Sequence, residues 1–150
     1  MDKPVTAAET QAFRELLEAD PRLQVFVTSA GDLPTVAEPH TPLPALPYVL
    51  IHPERDQDEQ QRATGPRVHR NPSWAVHAVA ESAEAAEMVM GWVDDQLRPP
   101  PNRWGIAPVV AGQVTKRLRR NALTGVLVDD SSLPAVCYVV ASYSHESSPA

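Results

Sequence analysis

One cysteine in 150 residues leaves this chain without an internal disulfide. Cys137 lies in an apolar run, which reads as a small buried hydrophobe rather than a reactive thiol. No stretch approaches the roughly eighteen consecutive apolar residues of a membrane span, and residues 1–5 hold no apolar core of signal-peptide length. The expectation is a soluble protein made inside the cell, with no membrane partner. Basic charge is also short: the net charge is −6, which argues against a general grip on nucleic acid, since that needs a basic face to displace counterions. The phosphate-cradling patterns G-x-x-x-x-G-K-S/T and G-x-G-x-x-G are missing, and so is the nucleophile elbow G-x-S-x-G. Glycine is scarce too, with six residues against sixteen prolines. Proline cannot pair in a central strand, so much of the chain must be ordered connections or extended arms that lie on something.

The organising stretch is 73–97. Ser73 to Ala80 alternates, with Trp74, Val76, Ala78 and Ala80 on one face and Ala75, His77 and Val79 on the other, the period of a strand. From Ala83 the period changes: Ala86, Val89, Met90, Val93 and Leu97 recur at helical steps, with Ser82 as N-cap and Glu84 in the first turn. Pro99 to Pro101 stop that helix. Upstream, Thr6 and Glu9 have capping-box spacing before a short helix that carries Ala12, Phe13, Leu16 and Leu17 and ends at Asp20-Pro21. Leu23 to Thr28 reads as a strand, Ser29 to Leu46 as a proline-rich loop, and Pro47 to His52 as a strand buried on both faces. Pro53 to Pro72 is a long polar segment; antiparallel pairing of its flanks would make it a protruding hairpin arm. Downstream, Val114 to Leu118 alternates weakly as an edge strand, Asp129-Asp130 signals a turn, and Ala135 to Tyr143 is a strong strand.

These elements predict one α+β domain over 1–150, with two helices packed on one face of a largely antiparallel sheet of four to five strands. The termini, 1–5 and 144–150, are expected to be mobile. Trp74, Val89, Val93, Val139 and the strand from Pro47 to Ile51 are the expected core.

Chemistry is harder to find. His40, His52, His69, His77 and His145 show no metal-ligand spacing and read as scattered surface or half-buried side chains. Asp94-Asp95 point in different directions on a helix, and Asp129-Asp130 fit turn chemistry better than an acid–base pair. No catalytic, metal or cofactor residue is assigned. The candidate contact residues are the arginines of the polar arm (Arg55, Arg62, Arg67 and Arg70), the basic cluster Lys116, Arg117, Arg119 and Arg120, and two tryptophans suited to a subunit contact, Trp92 and Trp104. The cluster suits a solvated or protein-facing edge, or phosphate contact.

Several stretches together resemble a known family. They are Pro47 to Ile51, the arginine-containing loop with Thr64-Gly65-Pro66, the Trp74 strand, the helix Ala83 to Leu97, the Gly112 bridge, and Asp129-Asp130 with Tyr138 to Tyr143. As a pattern of elements from about Ala7 to Tyr143, the chain resembles the tail terminator (tail completion) proteins of long-tailed bacteriophages. The resemblance implies a non-enzymatic virion protein without cofactors, made in the host cytoplasm. It would form a hexameric ring at the head-proximal end of the tail tube, end tube polymerisation, and present a surface to the head–neck connector protein. Its partners would be copies of itself, the tail tube protein and the connector, with genomic DNA passing through an acidic lumen without sequence-specific binding. The loop 29–46 and the Pro99 to Pro101 stop depart from the family pattern. Another head–tail connector of the neck, or an α+β enzyme or small-ligand domain, remains open on the sequence.

Overall fold

A capping box opens the fold: the Thr6 hydroxyl accepts from the Glu9 amide at 3.1 Å, and the Thr6 amide donates to the Glu9 carboxylate at 2.9 Å. The computed structural model describes residues 5–28, 45–54, 69–131 and 135–150. Within them run α1 (Ala7–Glu18), β1 (Val25–Val27), β2 (Tyr48–Pro53), β3 (Ser73–Ala80), α2 (Ala83–Leu97), β4 (Gln113–Thr115), β5 (Arg119–Leu123), β6 (Leu127–Asp129), β7 (Val136–Ser144) and β8 (Ser147–Pro149).

The main sheet runs β1-β2-β3-β7-β5, with β6 also paired to β7. Only β1 with β2 is parallel; every other pair is antiparallel. The α+β class and the largely antiparallel sheet are as the sequence predicts, although this sheet has six strands and a second, two-stranded sheet joins β4 to β8. Antiparallel pairing of β2 with β3 makes the segment between them a hairpin connection. The expectation that this connection protrudes falls on 55–68, outside the described residues.

Register explains the core. Val27, Ile51, Val76 and Ala141 line up across four strands, as do Val25, Val49, Ala78 and Val139. All are buried, and because side chains alternate along a strand they share one face. Both helices cover that face. Phe13 of α1 stacks on Trp74 at 4.4 Å between ring centroids, while Val89, Val93 and Leu97 of α2 join the same cluster. The Trp74 indole N–H donates to the Thr10 hydroxyl at 3.1 Å, which satisfies its one polar group in the interior.

Two expectations about the strands are corrected. The weak strand placed at Val114 to Leu118 is split: β4 ends at Thr115 and β5 begins at Arg119, with Leu118 buried between them. The C-terminal tail, expected to be free from Ser144, returns as β8. Backbone bonds join Lys116 to Glu146 and pair Arg70 with Ser147, and His145 is buried against Trp74 with ring centroids 5.6 Å apart. Polar composition misled here, because the Ser144 hydroxyl accepts from Asn121 and the Ser147 hydroxyl donates to Gln113 inside the fold. At the other terminus, Val5 packs against the core, and 1–4 lie outside the described residues.

Candidate partner-binding surface

The bridge from Arg98 to Gly112 is fastened at both ends. The Ile106 amide donates to the carbonyl of Leu97, the last residue of α2, and the Leu118 amide donates to the Ile106 carbonyl, both at 2.9 Å. Gly105 permits this approach, since a Cβ there would lie 1.9 Å from the Leu118 carbonyl oxygen. Folding the bridge onto Leu118 brings Trp104 beside the basic cluster, where the Arg117 guanidinium lies 4.9 Å from the indole centroid. Trp104 remains 63 % exposed, and Val109 on the bridge and Val114 on β4 are 91 % and 58 % exposed. Lys116 pairs with Glu146 at 2.7 Å. Among the described residues, no carboxylate lies within ion-pair distance of Arg117 or Arg119, and both are exposed. A shallow groove of about 540 Å³ runs between Thr115, Lys116, Arg117, Arg119 and Glu146. Trp104 and Arg117 thus present an exposed aromatic–cationic pair, with Arg119 on the adjoining groove beside Glu146.

Arg120, the remaining member of the cluster, points elsewhere. It lies 3.6 Å from Asp94, a carboxylate on α2 that also accepts from two nitrogens of Arg98 (2.8 and 2.9 Å), from the Tyr143 hydroxyl (2.9 Å) and, more distantly, from Arg103 (3.5 Å). Burial by itself would raise the Asp94 carboxyl; hydrogen bonds from Arg98 and Tyr143 and the charges of Arg98 and Arg120 outweigh it and hold the group below its usual range. Burial and the Asp94 charge push the Tyr143 hydroxyl far up, so it stays a neutral donor. This hub ties α2, β5, β7 and the bridge together and is best explained as structural. Beside it, between α2 and β5, opens a second cleft of about 430 Å³ in which Met90, Gly91, Leu123 and Val139 lie among the charged groups Glu87, Asp94, Asp95, Arg103 and Arg120.

The other candidates are placed differently. Arg70 turns inward: its guanidinium meets Glu9, which has no exposed surface, at 2.8 Å. Arg70, a candidate contact residue by sequence, is thus held by an ion pair within the subunit. Trp92 is half-buried against the core, with Arg22 4.3 Å from its ring centroid. Arg55, Arg62 and Arg67 lie outside the described residues.

The sheet also joins two histidines that sequence spacing kept apart. On the face away from the helices, His52 and His77 approach to 4.3 Å between centroids, and His77 stacks on Tyr138. Burial, and secondarily His52, lower His77 to about 4; burial lowers His52 as well, against the opposing charge of Glu54. Only strand pairing could have revealed this contact. Among the described residues, no group of three or more His, Cys, Asp and Glu side chains is placed to hold a metal ion.

No protein-family model and no curated protein matches this chain. An exposed tryptophan with an arginine on its ring suits the centre of a protein contact, where Trp and Arg are enriched. No helix among the described residues is long and apolar enough to cross a membrane.

Proposed function

We propose that this chain is a structural subunit of a phage tail: a ring-forming protein that ends polymerisation of the tail tube and joins the tail to the neck, acting by binding rather than by catalysis. The observation that carries this reading is the exposed Trp104 with the Arg117 guanidinium on its ring, next to the groove that Arg117 and Arg119 line, on an otherwise acidic chain. Support also comes from the likeness of the element pattern to tail terminator proteins, with which the α+β sheet and its two helices on one face agree. The net charge of −6 suits a ring through which DNA passes without sticking, because like charge disfavours phosphate binding. The subunit would then work in the virion, at the junction of tail and neck.

Electron microscopy of the purified chain with tail tubes tests this. Rings seated at one end of tubes of uniform length are expected. Tubes that elongate as they do without the protein refute the reading, and attachment to the neck side alone favours a connector.

A further inference from the structure

The two surfaces described above are complementary to one another. Trp104 stands out from the subunit with Arg117 against its ring, while the cleft between α2 and β5 has an apolar floor and room beside Gly91, where a Cβ would meet no atom within 4 Å. The cleft opens along the exposed face of α2, where Glu84 and Glu87 are exposed and form no ion pair among the described residues, and where Met88 is 51 % exposed. One surface has an aromatic knob with Arg117 on its ring; in the other, Asp94 and Asp95 inside the hollow already pair with Arg103 and Arg120, which leaves Glu87 at the rim and Glu84 one turn away as the unpaired carboxylates among the described residues.

We infer that Trp104 of one copy seats in the α2–β5 cleft of a second copy, with Arg117 and Arg119 meeting the second copy's acidic α2 face at Glu84 and Glu87. The knob and the hollow are different patches of one chain, so a contact that is not returned within the same pair propagates head to tail, and in the ring proposed above it closes on itself. The inference rests on the ring-forming function proposed above and gives that ring its contact. Desolvated aromatic and arginine anchors dominate binding energy at such contacts, and the surrounding charges fix the register. The hollow has a simple origin: Gly91 leaves a gap on the helix that any larger side chain would fill.

Charge exchange tests it on the full chain. One variant carries Arg117→Glu and Arg119→Glu, the other Glu84→Lys and Glu87→Lys; each alone should lose association roughly tenfold or more in sedimentation or native mass measurement. Mixed in equal amounts, they should assemble again, because each reversed surface then finds its match on the other variant. Gly91→Leu, which favours the helix, should block assembly while circular dichroism and the melting temperature show an intact fold, and Trp104→Ala should do the same. Rings that form normally from the single variants or from Gly91→Leu overturn this contact and leave the ring reading standing. A mixture that fails to assemble also overturns it. A wild-type chain that remains monomeric at high concentration and on tail tubes removes the ring reading itself, and a strictly dimeric one refutes the head-to-tail sense.

Discussion

Glu9 and Arg70 show how much depends on single side chains here. Glu9 caps α1 and is buried, and its carboxylate pairs with Arg70, whose own side chain is only 20 % exposed. Arg70→Ala would leave that carboxylate without its ion-pair partner, and a cost on the order of 3 kcal/mol is expected, read as a lower urea midpoint with unchanged slope. An unchanged midpoint would mean that water replaces the guanidinium. His77 makes a second prediction. Its imidazole is held to about 4 against an ordinary value near 6.5, so the folded state resists a proton that the unfolded state accepts. Stability is therefore full above about pH 6.5 and falls as pH drops towards 4, by on the order of 2 kcal/mol, with His52 acting in the same direction. Asp94 adds loss only at lower pH, because its depressed carboxyl contributes stability above the unfolded value and loses it as pH falls through the folded one. His77→Gln should flatten the stability profile between pH 6.5 and 4.5; an unaltered slope would show that the imidazole is hydrated.

Among the elements, two glycines have opposite roles that spacing alone does not separate. Gly91 sits on an exposed turn of α2 with open space at its Cβ position, so Gly91→Ala should stabilise the helix by about 0.5–1 kcal/mol. Gly105 holds the bridge against Leu118, and Gly105→Ala should cost about 1–3 kcal/mol, because backbone must move to admit the methyl group. Thermal melts of the two variants should shift in opposite directions; a neutral Gly105→Ala would show that the bridge is loose. The bridge matters for function, since its fastening to α2 and Leu118 sets Trp104 beside Arg117. At the same scale, the basic cluster divides. Arg119 and Arg120 are neighbours on β5, so they face opposite ways: one to solvent, the other to Asp94.

For the whole molecule, the C-terminal return is the feature that closes the fold. β8 pairs with β4, the Arg70–Ser147 bridge ties it to the limb entering β3, and His145 packs on Trp74. Hydrogen exchange should accordingly be slow at Lys116 and Ser147, whose amides donate to Glu146 and Arg70 carbonyls, and deletion of 145–150 should speed exchange at both Lys116 and Arg70. Fast exchange at Ser147 in the intact chain would contradict this closure. The strands at 73–80 and 136–144, both helices with their caps, and the face they bury were legible in the sequence, because periodicity and capping are local properties that adjacent residues settle among themselves. β6 and β8 were not legible: each is three residues long and gains its identity from the strand it meets. The same division holds for the charged residues. The sequence by itself set how many arginines there are and where they cluster. Tertiary structure alone decided that Arg70 and Arg120 find buried carboxylates on other elements while Arg117 and Arg119 are left facing outward, since an ion pair between distant positions exists only once packing has brought the two charges together.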